Sequence, residues 1–307
     1  THDTLVFFTD RGKVFRLKGY EVPEGGRTAR GVAIVNLLEI NNGETITAGV
    51  SVKEFRKDRY LMMVTKNGII KKTPLSDFAN IRKGGLIALN LREDDYLISV
   101  MITDGKDEVF VATKQGMGIR FLEEDVRAMG RTAAGVRAIT LSEGDCVVSA
   151  ALLSPTAQIL NVTEKGYGKR TEVEKFNLQR RGGKGLKIHQ LTEKTGKLTG
   201  VLVMEENEEL MIMTSEGVII RLRGNDISTY NRTSQGVRLV ALGEGASVAG
   251  IAKISEADIE SAEEEAELLQ AKETAAEDNE EMQTQEEADL EETVFQAAES
   301  SESSDEA

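Results

Sequence analysis

Leu61-Met62-Met63-Val64-Thr65-Lys66-Asn67-Gly68 is a short apolar run that ends in a turn dipeptide. Asn-Gly accepts the positive φ angles of a tight two-residue turn, so the run reads as the first arm of a β-hairpin. The same device recurs along the chain. Thr-x-x-Gly appears as Thr9-Asp10-Arg11-Gly12, Thr65-Lys66-Asn67-Gly68, Thr113-Lys114-Gln115-Gly116, Thr163-Glu164-Lys165-Gly166 and Thr214-Ser215-Glu216-Gly217, at intervals of 56, 48, 50 and 51 residues. An apolar run such as Leu210-Met211-Ile212-Met213 precedes each copy. A period near 50 residues is the mark of a repeat architecture.

Two further features keep register with the turns. A cation follows each turn glycine by four residues, at Arg16, Lys72, Arg120, Arg170 and Arg221, which predicts equivalent places on successive units and hence a ring or stripe. A second glycine follows the first by 19 residues at Gly31, Gly135, Gly185 and Gly236, and by 17 at Gly85. The residues before it are Arg27-Thr28-Ala29-Arg30, Arg82-Lys83-Gly84, Arg131-Thr132-Ala133-Ala134, Arg181-Gly182-Gly183-Lys184 and Arg232-Thr233-Ser234-Gln235, five versions of one polar loop. A strand such as Val136–Ile139, an acidic turn and a last apolar strand such as Val147–Ala151 complete each unit. Four short strands in about 50 residues is the content of a propeller-type blade. The expected fold is therefore all-β, with about five four-stranded blades over residues 1–55, 56–105, 106–154, 155–206 and 207–254.

Charge divides the chain. The formal net charge is −14, yet residues 256–307 hold 21 carboxylates against the single base Lys272. Residues 1–255 keep 37 basic and 31 acidic side chains, a net of +6. A basic body with an acidic tail is the asymmetry of a nucleic-acid binder. The tail, domain 255–307, is too charged to collapse and is expected to be disordered, with a transient helix near Glu260–Lys272. Cys146 is the single cysteine, which leaves no disulfide within one chain and fits a reducing compartment with the thiol buried. No apolar run approaches the ~18 residues of a membrane span. The first residue is not Met, and Thr4 leads straight into a strand-like run, as if the chain were cut from something longer.

Among the five loops, Gln179-Arg180-Arg181-Gly182-Gly183-Lys184-Gly185 stands out, with three cations set among three glycines. Glycines allow backbone N–H groups to approach an anion closely, and Arg and Lys add charge-assisted hydrogen bonds to its oxygens. Such a loop is built to touch phosphate. Catalytic chemistry finds little support, because His2 and His189 are far apart, no metal-ligand spacing occurs, and neither a P-loop nor a nucleophile elbow is present. No catalytic and no metal-binding residue is assigned.

Five blade repeats, the heptapeptide Gln179–Gly185 and the acidic tail together resemble the C-terminal domain of the DNA gyrase A protein family, across residues 1–254. That resemblance implies a β-pinwheel whose rim binds duplex DNA and wraps it with positive handedness, without strong sequence specificity. The DNA-contacting set it implies is Arg180, Arg181 and Lys184 with Gln179, Gly182, Gly183 and Gly185, then Arg16, Lys72, Arg120, Arg170 and Arg221, then Arg27, Arg30, Arg82, Lys83, Arg131 and Arg232. Tyr20, Tyr60, Tyr96, Tyr167 and Tyr230 lie outside the family's catalytic context. Strand cleavage would belong to the N-terminal part of gyrase A, and ATP and Mg²⁺ to the partner gyrase B in an A2B2 type II topoisomerase of the bacterial cytoplasm. No cofactor is expected in this chain. The family usually has six blades with its signature loop in the first, whereas five are found here with the heptapeptide in the fourth, which implies a chain beginning at the second blade. The related C-terminal domain of the topoisomerase IV counterpart of gyrase A is an alternative, although an intact Gln179–Gly185 string favours gyrase. From another class, a protein-docking propeller remains, but it would carry aromatic or apolar loop tips.

Overall fold

The computed structural model describes residues 2–25 and 29–254. Repeat one contributes β1 (Thr4–Thr9), β2 (Lys13–Lys18) and β3 (Ile46–Val52). Repeat two has β4 (Tyr60–Thr65), β5 (Ile69–Pro74), β6 (Leu86–Ile87) and β7 (Leu97–Thr103). Repeat three has β8 (Glu108–Thr113), β9 (Met117–Leu122), β10 (Val136–Arg137) and β11 (Val147–Leu153), and repeat four has β12 (Gln158–Thr163), β13 (Tyr167–Glu172), β14 (Leu186–Lys187) and β15 (Leu198–Met204). Repeat five closes the series with β16 (Glu209–Thr214), β17 (Ile219–Arg223), β18 (Val237–Arg238) and β19 (Val248–Ile254).

The recurring Thr-x-x-Gly has a local cause. In each hairpin the threonine carbonyl accepts from the N–H of the turn glycine at 3.0 Å. The threonine hydroxyl meanwhile accepts from the N–H four residues on, at 3.1–3.3 Å, in all five copies. One side chain thus satisfies a buried backbone donor that the turn would otherwise orphan. The glycine itself sits at φ +76° to +83° in every copy.

The sheets do not coincide with the repeats. Strand order is β3-β1-β2-β6, then β10-β5-β4-β7, β11-β8-β9-β14 and β15-β12-β13-β18, all antiparallel neighbours. The two-residue third strand of repeats two to five therefore completes the sheet of the repeat before it. The expected four-stranded blades are present, each borrowing its outer strand from the repeat that follows. That borrowing also explains why the fifth sheet, β17-β16-β19, has three strands among the described residues. Its outer place is the one a following repeat fills elsewhere.

Packing follows from strand alternation. Along β4, Leu61 and Met63 join one buried cluster with Val6, Phe8 and Val14 of the first sheet, while Met62 and Val64 join another with Val109, Val111 and Phe121 of the third. Both faces of the sheet are covered, which is why the run Leu61–Val64 has no polar break. Each such side chain contributes roughly 1.5–3 kcal/mol on burial. Equivalent clusters join the third and fourth sheets around Phe110, Phe176 and Ile188, and the fourth and fifth around Leu160, Leu210 and Val240. The outer face of the first sheet is closed by Phe15 and Leu17 against Leu38. The inner strands β3, β7, β11 and β15 pack side by side, with Ser149 Oγ donating to Val201 O at 2.7 Å. Cys146 is half-buried in the turn before β11, so the fully buried thiol expected from sequence is not found.

Candidate nucleic-acid interface

Each polar loop runs from the outer edge of one sheet into the strand that it donates to that sheet. The second glycine makes the entry possible. Gly85, Gly135, Gly185 and Gly236 have φ between +70° and +84°. A Cβ at Gly185 would lie 2.4 Å from Gly118 O, and one at Gly236 would lie 2.3 Å from Gly168 O. Any other residue would push the loop off its sheet.

Successive loops are stitched to one another. Asn90 Nδ2 donates to Thr132 O at 2.8 Å, joining the second and third loops. Gly182 N–H donates to Ala138 O at 2.6 Å, Thr140 N–H to Gly183 O at 2.8 Å and Thr140 Oγ1 to Gly182 O at 2.7 Å, joining the third and fourth. Gln190 N–H donates to Ser234 O at 3.1 Å, joining the fourth and fifth. The arginines at the head of the fourth and fifth loops repeat one grip: Arg181 Nη1 reaches Arg137 O at 3.1 Å and Arg232 Nη1 reaches Lys187 O at 2.8 Å. Residues 82–85, 131–137, 180–187 and 231–238 thus form one backbone row along the sheet edges.

On this row Arg82, Lys83, Arg180 and Lys184 are exposed, and no side chain among the four has a hydrogen-bond or ion-pair partner among the described residues. Arg30 is exposed in the first loop, while Arg27 lies outside the described residues. Arg131, Arg181, Arg232 and Gln179 are half-buried. Arg181 Nε also donates to Asp125 O at 2.8 Å, so its guanidinium is partly committed within the protein. The glycine cradle is modified too. Gly182 spends its N–H on Ala138, which leaves it a stitch between loops and not an anion donor.

The five cations placed four residues after the turns do something else. Arg16 Nη1 donates to Ala79 O at 3.4 Å, and Lys72 Nζ to Glu123 O at 3.2 Å. Arg120 donates to Val173 O and Phe176 O, each at 3.0 Å, and Arg170 Nε to Ile227 O at 2.7 Å. Every acceptor lies in or just after the 3-10 turn of the next repeat. Lys72 is buried, with Glu123 Oε1 at 3.6 Å and the Tyr60 ring 5.2 Å away. Arg120 meets Glu108 at 2.6 Å, and burial lowers the Arg170 pKa. These side chains are equivalent, as their spacing predicts, but they clamp one blade to the next. Arg221, with no following turn among the described residues, is exposed and pairs with Glu209. Lys72, Arg120 and Arg170 thus spend donors on the next repeat, while Arg16 and Arg221 remain exposed.

Three kinds of residue escaped the sequence reading. Arg137 and Lys187 are exposed on the donated strands. Their signal is a cation two places after the second glycine, in Gly135-Val136-Arg137 and Gly185-Leu186-Lys187. Arg238 shares the position but donates to the Tyr167 hydroxyl at 3.2 Å, which lowers the phenol pKa. Lys71 and Lys169 are fully buried beneath the row, where desolvation first, and then the charge of Arg131 or Arg232, pushes their pKa values down to about 8. His189 is fully buried with neither ring nitrogen partnered among the described residues. Burial, and then the charge of Lys169, push its pKa down to about 4. Away from the row, the carboxylates of Asp104, Asp107 and Glu123 lie within 4.8 Å of one another. Glu123 is already engaged by Thr103 Oγ1 at 2.6 Å and the N–H groups of Gly105 and Asp107 at 3.1 and 3.2 Å. No helix among the described residues is long and apolar enough to cross a membrane. The disorder and helix expected of residues 255–307 fall outside the described residues.

Comparison with known proteins agrees with the repeat pattern. The family model described as DNA gyrase C-terminal domain, beta-propeller, matches residues 3–53, 59–104, 107–154, 158–203 and 208–255. The DNA gyrase A protein of Clostridium acetobutylicum is 50% identical over 281 residues, covering 91% of this chain and 34% of that one. That of Halalkalibacterium halodurans is 54% identical over 265 residues, 86% of this chain and 32% of its own length. The chain spans about a third of these relatives. Among solved structures, the C-terminal domain of a DNA topoisomerase IV superposes with a TM-score of 0.77 at 29% identity, over 83% of this chain and 80% of that one. A DNA gyrase A C-terminal domain gives 0.73 at 25% identity, over 83% of both. Five matched segments and relatives at these identities place the chain in the DNA gyrase C-terminal domain family of β-propellers.

Proposed function

We propose that this chain binds duplex DNA along the stitched loop row and bends it around the blades, as the wrapping part of a gyrase A protein. One observation carries the reading: Arg82, Lys83, Arg180 and Lys184 stand exposed and unpartnered on a single backbone row that runs across successive sheets. Cations of this kind neutralise phosphates and release counterions, and they fix position without reading bases. Bending a ~20–30 base-pair site by 40–90° costs on the order of 1–6 kcal/mol, so one loop is too little and several must act together. Non-catalytic in itself, the chain would serve an A2B2 enzyme in the bacterial cytoplasm. Gyrase B would bring ATP and Mg²⁺, and the wrap would feed negative supercoiling.

The test is equilibrium binding of the 307-residue chain to duplexes of increasing length over a salt series. Wrapping predicts affinity that rises with length until the row is filled, with a steep fall in salt, each phosphate contributing about −0.9 to the log–log slope. Length-independent binding with a shallow slope would remove the proposal.

A further inference from the structure

Two lysines that no duplex can touch lie directly under two of the loops. Lys71 and Lys169 are fully buried, one residue before the clamp cations Lys72 and Arg170. Lys71 Nζ donates to Ala88 O at 2.8 Å and to Arg131 O. Lys169 Nζ donates to Asn231 O at 2.6 Å and to Arg232 O, and its neighbour Thr171 donates from Oγ1 to Tyr230 O at 2.9 Å. Three consecutive carbonyls of the fifth loop are therefore held from below. A carbonyl drawn inward by an ammonium fixes the peptide plane, and with it the direction in which the adjoining arginine leaves the chain.

The equivalent position alternates between repeats. Phe15, Ile119 and Ile220 occupy it in repeats one, three and five, each beside its own arginine, while Lys-Lys-Thr and Lys-Arg-Thr occur in repeats two and four. Ile119 lies under the Gln179–Gly185 loop, where it offers no donor. Burying an ammonium is costly unless its hydrogen bonds are met, and an apolar residue at three of the five positions shows that packing alone does not require lysine. The titratable groups facing Lys71 are Arg131 and Asp77, and those facing Lys169 are Arg232 and the neutral His189.

We propose that Lys71 and Lys169 are positioning residues that lock the main chain of the Arg131 and Arg232 loops from below, a support that the Gln179–Gly185 loop between them lacks. The proposal concerns how the interface is presented, and its DNA consequence rests on the reading under Proposed function.

The experiment compares the full chain with Lys71→Met and Lys169→Met, a shape close to the apolar residues found in the other repeats. Backbone hydrogen exchange at one pH is expected to rise roughly tenfold, the effect of losing a charge-assisted hydrogen bond, at residues 129–134 in the first variant and 230–235 in the second. Residues 179–185 should stay unchanged in both. Unaltered exchange, or acceleration spread through the β4–β5 or β12–β13 hairpin, would overturn the proposal. A second measurement needs no variant. In the wild-type chain labelled with ¹⁵N-lysine, slowly exchanging ammonium protons should give cross-peaks for Lys71 and Lys169 but not for exposed Lys184, and their absence would overturn it too. With DNA, both variants should bind several-fold more weakly at an unchanged salt slope, since no phosphate contact is removed. If neither they nor the wild type binds duplex, the DNA reading falls, while the exchange data alone decide the lock.

Discussion

At the scale of single residues, equivalent cations divide by where their charge is spent. Arg180 and Lys184 meet solvent, whereas Arg120 is held by Glu108 and two carbonyls of the next blade. Replacing Arg180 and Lys184 together with Ala should weaken duplex binding and reduce the log–log salt slope by about 1 for each lost phosphate contact, leaving the urea midpoint where it was. Arg120→Ala should do the reverse, costing on the order of 2 kcal/mol of stability because it orphans a carboxylate and two buried carbonyls. Equilibrium unfolding and salt-dependent titration on the same samples check both. His189 supplies a pH signature. Its pKa is depressed from 6.5 to about 4 by burial, so below about 6.5 the unfolded chain binds a proton that the folded chain refuses. Stability from this group is complete above that pH and declines toward about pH 4, by on the order of 3 kcal/mol. His189→Ile, which copies Ile139 one repeat earlier, should flatten that acid limb of the stability curve, and denaturant midpoints between pH 4 and 7 measure it.

Elements show how far a linear reading reaches. The hairpins were legible because Thr-x-x-Gly records a closed local circuit, a threonine hydroxyl and carbonyl satisfying two donors within four residues. Strand donation was not legible, since Val136-Arg137 is only two residues long and nothing in its composition says which sheet receives it. The cations four residues after the turns were found by spacing, but their bonds to the following repeat were not foreseen. Spacing fixes a place in the repeat, and only the neighbouring blade decides whether that place faces solvent or a carbonyl. The turn glycines separate these effects. Gly166 and Gly217 share nearly the same φ, +76° and +83°, but a Cβ at Gly166 would lie 2.8 Å from Val240 O, while nothing comes within 4 Å at Gly217. Gly217→Ala should therefore cost only the backbone strain, about 1 kcal/mol, and Gly166→Ala roughly 1–3 kcal/mol more, because it pushes the strand donated by the fifth repeat off the fourth sheet. Thermal or urea unfolding of the pair reads the difference directly.

For the whole molecule, the net charge of −14 conceals a body of +6, and the loop row presents part of it in Arg82, Lys83, Arg180 and Lys184. Sequence located the loops and their cations. It could not locate Lys71 and Lys169 as supports, because a lysine in a strand carries no sign of burial until the loop above it is known. Residues 256–307 carry a net of −20, the sign of charge that a polyanion rival of DNA needs. Deleting them should tighten duplex binding at low salt, and equal affinities of the two chains in matched buffer would remove that idea. The claim beneath all of this is that the row bends a duplex and does not merely hold it. Relaxing nicked circles by ligation in the presence of saturating chain tests it most directly. A curved cationic row predicts a shift in linking number that grows with bound chain and disappears when Arg82, Lys83, Arg180 and Lys184 are reversed to Glu. A topoisomer distribution identical to that of protein-free circles, at full occupancy of the DNA, would contradict it.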